Sequence, residues 1–209
     1  MERSRDVSRL LLINGSPRGA DSRSLRLAEL FVEEYRRRAG HRVEVDRIDT
    51  FTDLVPFGQR HVDAKMALIE GRDIPSAARR DWDDVLGLAG RLTAADLWVF
   101  AVPMWNGTIP WPLKLFIDTV TQPGVAFRFD PQQGYRGLLE GRRAVAVYTS
   151  RVYAPGLPPA FGADHQSSYL SWWLRYCGVD DIHELRVRTA RFDEQAARHA
   201  VEQLAERLR

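Results

Sequence analysis

Cysteine occurs once in these 209 residues, at Cys177, and that scarcity removes two whole chemistries. A lone thiol makes no internal disulfide and no multi-cysteine zinc site, so nothing asks for an oxidising compartment and a cytoplasmic location is the expectation. No apolar run approaches the roughly 18 residues that cross a bilayer, so no membrane span is expected. The opening residues 1–5 carry charge with no apolar stretch behind them and read as no signal peptide. Lysine is scarce beside arginine, yet net charge is only +2. The one tight basic run, Arg36-Arg37-Arg38, falls late in a helical pattern, where it complements the helix dipole and faces water. Nucleic-acid binding wants positive charge gathered on one face with exposed aromatics and is not expected. His165 and His183 stand without metal-ligand partners at useful spacing, so no metal site is expected either.

What is present is an ordinary globular mixture, 44% apolar and 28% charged, in a length that suits one domain over residues 1–209. Residues 10–13, 97–102 and 144–148 are short continuous apolar runs, the mark of strands buried on both faces. Residues 41–48 alternate loosely as a further strand, and the more polar 182–187 reads as an edge strand. Between them, Ala28, Phe31, Val32 and Tyr35 recur at helical spacing before Gly40 ends the segment. Residues 75–92 read as a helix with Trp82, Val85, Leu86 and Leu92 inward, and 112–120 as a short helix with Pro112 at its first position. An aromatic-rich helix over 169–176 stops at Gly178, and Ala197, Ala200, Val201, Leu204 and Leu208 mark a last amphipathic one. Residues 51–71, with Pro56 and Gly58, read as a loop carrying a short helix. Such alternation implies an α/β fold: a doubly wound, five-stranded parallel sheet with helices on both faces. Ligands of such sheets bind beyond the carboxyl ends of the strands, so the loops 16–24, 103–110 and 150–156 converge on one site.

The first loop is best read by exclusion. It contains no G-x-x-x-x-G-K-[ST] for a nucleoside triphosphate and no G-x-G-x-x-G for a dinucleotide. The only cysteine lies far away, so a cysteine phosphatase is excluded as well. What remains are the hydroxyls of Ser16, Ser22 and Ser24 at a helix start, suited to a monophosphate. Locally this stands beside a plainer reading, N-capping by Asp21 or Ser22. The second loop tilts the balance. In "VPMWNGTIPWPLKLFID", Trp105 follows a buried strand, Asn106 and Gly107 follow it, and Trp111 comes soon after. A ring wall, free backbone amides and a glycine suit a flat aromatic ligand, and beside a phosphate loop they suit flavin mononucleotide, FMN.

The blocks "INGSPR…SRS…LAE", "PMWNGTIPWPLKLFIDTV…GVAFRF" and "YTSR", in order over about residues 10–177, closely resemble the FMN-dependent NAD(P)H:quinone oxidoreductase and azoreductase family, of flavodoxin-like fold. The resemblance implies that Ser16, Ser22, Arg23 and Ser24 hold the phosphate, and that Pro103, Met104, Trp105, Asn106 and Gly107 run along the flavin ring edge. Ser150, Arg151 and Tyr153 fall in a third cofactor loop. This chain departs there, with Val152 and Tyr153 where family members usually have two glycines, and that bulk would narrow the substrate pocket. The resemblance also implies a homodimer with the site at its interface.

On this reading the flavin carries the redox work. NADH or NADPH would donate hydride, and a flat acceptor (a quinone, azo or nitroaromatic compound) would take two electrons in the same slot, in a two-step ping-pong sequence. No catalytic side chain is required, which fits the lack of a nucleophile or acid–base pair in these loops. Trp105, Phe127 and Tyr153, with Phe129, are candidates for the acceptor pocket, and Arg151 for stabilising negative charge on the reduced ring. Three rivals share the fold, one of them a flavin-free binding or regulatory protein, against which the serine loop argues. A reductase dedicated to one aromatic intermediate would suit the bulky third loop, whereas a flavodoxin-type electron carrier fits a slightly basic chain poorly.

Overall fold

The computed structural model describes residues 7–208; residues 1–6, which include the segment read for a signal peptide, and residue 209 lie outside the described residues. Along the chain run β1 (Val7–Asn14), α1 (Arg23–Arg38), β2 (Arg42–Asp49), α2 (Gln59–Ile69), α3 (Arg79–Ala94), β3 (Leu97–Pro103) and α4 (Trp111–Val120). Then follow β4 (Phe127–Asp130), β5 (Gly134–Gly137), β6 (Arg143–Ser150), α5 (Gln166–Tyr176), β7 (Asp181–Arg188) and α6 (Glu194–Arg207). Five strands form one parallel sheet in the order β2-β1-β3-β6-β7, while β4 and β5 make a separate antiparallel hairpin. The doubly wound α/β expectation holds, and the polar β7 is indeed an edge.

The unbroken apolar strands follow from covering both faces of the sheet. Leu11, Ile13, Trp98, Phe100 and Val102 pack beneath α3, α4 and α5, whereas Leu10, Leu12, Leu97, Val99 and Ala101 pack against α1 and α6. Neighbouring residues on a strand point oppositely, so a sheet covered twice needs apolar residues at every position. Two buried tryptophans have their indole N–H groups satisfied: Trp98 donates to the Leu92 carbonyl at 2.9 Å and Trp173 to Thr121 Oγ1 at 2.9 Å.

Several local expectations need correction. Leu86 is 44% exposed, because α3 turns Trp82, Val85, Ala89 and Leu92 inward and Leu86 lies roughly 80° around the helix from the centre of that stripe. Pro112 sits at the second helical position of α4, with Pro110 as N-cap; its missing N–H still falls in the first turn, where no partner was available. Arg38 does not face water freely: it is largely covered between Glu34 and Glu206, while Arg37 stays exposed beside Glu34. The second half of residues 51–71 is a full eleven-residue helix, α2. Its buried face is little more than Ala64, Ala67 and His61, too small a stripe to be read from sequence.

The β4–β5 hairpin is clamped to the end of α5. Leu139 N–H donates to the Cys177 carbonyl at 2.8 Å, and a Cβ on Gly137 would lie 2.2 Å from the Cys177 carbonyl carbon. Only glycine permits that crossing. Gly137→Ala is therefore expected to cost about 1–3 kcal/mol, read as a lower urea midpoint at unchanged m-value; an unchanged midpoint would show that the hairpin is not clamped here.

Candidate active site

The site begins with the buried side chain of Asn14, at the end of β1. Its Oδ1 accepts from Ser16 N at 2.9 Å, and its Nδ2 donates to the Ser16 carbonyl at 3.0 Å and to Asp49 Oδ2 at 2.9 Å. That clamp shapes the first loop and places the hydroxyls of Ser16, Ser22 and Ser24, each no more than 2% exposed. Of the two candidate caps it is Ser22 that starts α1: its Oγ accepts from Leu25 N at 3.1 Å and lies 3.1 Å from Ser24 Oγ. The capping serine thus belongs to the same hydroxyl cluster as Ser24.

The second loop continues the sheet for one residue, as Met104 N donates to the Thr149 carbonyl at 2.7 Å. It then reverses within a two-residue turn. Trp105 and Thr108 exchange backbone hydrogen bonds of 2.9 Å in each direction, with Asn106 at φ 50° and Gly107 at φ 82°. Two consecutive left-handed residues define a type I′ turn, for which Asn-Gly is the preferred pair. The turn is braced from behind, where His165 N donates to the Gly107 carbonyl at 2.9 Å. Trp105 is left at the rim, 36% exposed.

The third loop is pinned by Ser150 Oγ, which donates to the Tyr153 carbonyl. A short segment after β7, Thr189–Arg191, links it to the first loop. Ala190 N donates to the Arg151 carbonyl at 3.2 Å, and Arg23 Nη1 donates to the Thr189 carbonyl at 2.8 Å with its guanidinium 4.8 Å over the Phe192 ring.

These loops surround one cleft. Ser16, Ser22, Arg23 and Ser24 line it from the first, Pro103, Met104 and Trp105 from the second, and Ser150 and Arg151 from the third. Asn106 and Gly107 form the turn beside it. Tyr153 lines an adjoining hollow with Tyr148 and Arg188, and Phe127 lies elsewhere, packed on Tyr135 and Tyr176 at 5.5 and 5.2 Å between ring centres. Three lining residues escaped the sequence reading: Arg18, Thr149 and Thr189. Arg18 lay within the first loop and was legible as a cation beside the serines, and Thr149 lay in the YTSR block beside Ser150; Thr189, which follows β7, carried no local signal.

Electrostatically the cleft is one-sided. Arg18, Arg23 and Arg151 line it, and no carboxylate does. Thiol chemistry is absent, since Cys177 is fully buried at the end of α5 and burial pushes its thiol up to about 12. Among the described residues no group of three His, Cys, Asp or Glu side chains could hold a metal ion, and no helix is long and apolar enough to cross a membrane. The arrangement suits an anionic group at the serine–arginine end and a flat ring along Met104 and Trp105.

Known proteins share this architecture. The family model for the flavodoxin-like fold matches residues 8–209. The FMN-dependent NADH:quinone oxidoreductase of Ruegeria pomeroyi is 40% identical over 181 residues, covering 86% of this chain and 88% of the relative. FMN-dependent NADH:quinone oxidoreductase 3 of Pseudomonas fluorescens is 37% identical, covering 97% of this chain and 96% of the relative. Among solved structures, an FMN-dependent NADH-azoreductase from Bacillus anthracis, in complex with FMN, superimposes with a TM-score of 0.85 at 23% identity, over 96% of this chain and 99% of that one. That likeness speaks to the fold, and the sequence relatives carry the family. The chain belongs to the flavodoxin-like family of FMN-dependent NADH:quinone oxidoreductases.

Proposed function

We propose that this FMN-dependent enzyme takes electrons from NADH and passes them to a flat aromatic acceptor, a quinone or azo compound, with donor and acceptor using the same slot in turn. The observation that carries this reading is the composition of the cleft: three arginines and three buried serine hydroxyls, at a helix start, with no opposing carboxylate. FMN fits those residues. Its phosphate would lie with Ser16, Arg18, Ser22 and Ser24 at the start of α1, where orphan amides and the helix dipole favour an anion. Its ring would run along the Met104–Trp105 turn, toward Arg151. When bound, FMN supplies a ring that accepts hydride from the nicotinamide and returns two electrons to the acceptor.

The chain's own part is binding, orientation and charge. No carboxylate, thiol or imidazole lines the cleft to serve as acid or base. Arg151 lines the same cleft as the serine loop, and a guanidinium there would stabilise negative charge developing on a bound ring. The tether of Arg23 to Thr189 holds the first loop against the segment that braces the third, so the two walls keep their spacing.

The reading extends to a homodimer in the cytoplasm. Phe129, Tyr135 and Trp172 are each more than half exposed, joined through Tyr176 by ring contacts of 5.1–5.4 Å, and an apolar strip of that kind suits a second copy of the chain. Sedimentation at micromolar concentration is expected to give a dimer that Trp172→Asp dissociates; a monomeric wild type would refute that assembly.

Two tests address the activity. Purified protein loaded with FMN is expected to show a flavin spectrum that bleaches with NADH under anaerobic conditions and recovers on adding quinone; protein that retains no flavin ends the reading. Arg18→Gln is expected to raise the FMN dissociation constant by about tenfold and to weaken its dependence on salt, as loss of one charge-assisted contact predicts. Unchanged affinity would place the phosphate elsewhere.

A further inference from the structure

At the rim of the cleft, one group of side chains extends the site outward. Phe51 opens the loop after β2, and its position is fixed by the same clamp that shapes the first loop. Phe51 N donates to Asp49 Oδ1 at 2.9 Å, Asp49 Oδ2 accepts from Asn14 Nδ2 at 2.9 Å, and Thr50 Oγ1 donates to the Asn14 carbonyl at 2.9 Å. From that anchored position the Phe51 ring meets two indoles. Trp105 lies 5.9 Å away, tilted by 58°, and Trp111 lies 6.3 Å away, edge-on at 70°. Trp111 is held between Pro110 and Pro112 at the first position of α4, on backbone with little freedom.

Trp111 is nevertheless 65% exposed. A core tryptophan would be covered, and a capping residue at this position would be polar. An indole held rigidly in water, touching a phenylalanine that touches a cleft-lining tryptophan, is an aromatic surface continuous with the site.

We infer that Phe51, Trp105 and Trp111 form an aromatic shelf at the mouth of the cleft, which stacks the outer ring of a fused-ring acceptor and selects such acceptors over single-ring ones. The inference rests on the oxidoreductase reading above and adds the substrate class to it. A single ring is held within the cleft alone. An acceptor with a second fused ring projects past Trp105 and meets the shelf, where offset or edge-on ring contacts add to its binding. Phe51 is a positioning residue that holds the two indoles in one orientation; Trp111 supplies the exposed face.

The test compares 1,4-benzoquinone with 1,4-naphthoquinone as acceptors for FMN-loaded enzyme and NADH. Trp111→Ala is expected to raise KM for the naphthoquinone by about three- to tenfold, the range for one aromatic contact. Its kcat, its FMN affinity and the benzoquinone KM should be unchanged, and Trp111→Phe should restore most of the loss. Phe51→Ala should act in the same direction. A second readout needs no turnover: naphthoquinone should quench tryptophan fluorescence of the FMN-free protein saturably, and less tightly in Trp111→Ala. Equal KM changes for both quinones would overturn the shelf. So would a Trp111→Ala enzyme that sediments as a smaller species than wild type, because the indole would then be covered by a second copy. If wild type turns over neither quinone, the proposed activity fails on its own, and saturable quenching lost in Trp111→Ala still decides whether the shelf binds fused rings.

Discussion

A single buried amide sets the geometry of this site. Asn14 ends β1, where the sheet order changes direction, and three pieces of chain depend on its hydrogen bonds. Its side chain closes the Ser16 turn and grips Asp49 at the end of β2, while its carbonyl accepts from Thr50 N at 3.0 Å and from Thr50 Oγ1. One residue on, Gly15 N donates to the Ala101 carbonyl of β3 at 2.9 Å. A buried polar side chain is tolerated only when its donors and acceptors are matched, and here the matching partners are the loops that build the cleft. The serine hydroxyls and Phe51 therefore inherit their places from one network. In an α/β sheet the strand ends at the switch point diverge, and something must fix the loops that leave them.

The arginines divide into two populations. Arg60 with Asp81, Arg91 with Asp46 and Arg186 with Asp164 are pairs on or near the surface, of a kind that contributes little to stability. Arg18 and Arg151 carry no ion pair among the described residues, and Arg23 donates to a backbone carbonyl instead of a carboxylate. Composition cannot separate these groups, because arginine is abundant throughout the chain. What distinguishes the cleft cations is the carboxylates missing around them. Their charge faces the cleft with no carboxylate to neutralise it.

The strands and the three site loops were legible because they are local. An apolar run of five residues, a serine-rich helix start and an Asn-Gly pair each state their own structure. Trp111 and Trp105 were visible as residues, but whether they were core or rim depended on neighbours fixed by the fold. Thr189 was not legible, since it enters the cleft only because β7 pairs beside β6, and Thr149 was visible only as the neighbour of Ser150. The same holds for β5, whose Gly134–Gly137 has little strand character and pairs because Phe127–Asp130 lies opposite and Gly137 fits against Cys177. Leu86 shows the reverse error: apolar character was read as burial where helical phase decides.

The family resemblance led one to expect a glycine pair in the third loop, where this chain has Val152 and Tyr153. The bulk does not enter the cleft. Val152 is exposed, and Tyr153 turns to the adjoining hollow while its carbonyl takes the Ser150 hydroxyl. A glycine pair gives a loop freedom to approach a ligand closely. This chain replaces that freedom with constraint, through the Ser150 tie on one side and the Ala190–Arg151 hydrogen bond on the other. Arg151 is thereby carried on a braced loop, in line with a cleft whose walls are set before any ligand arrives. Specificity in such a site comes from what stands at its mouth, and there the chain places aromatic rings on rigid supports.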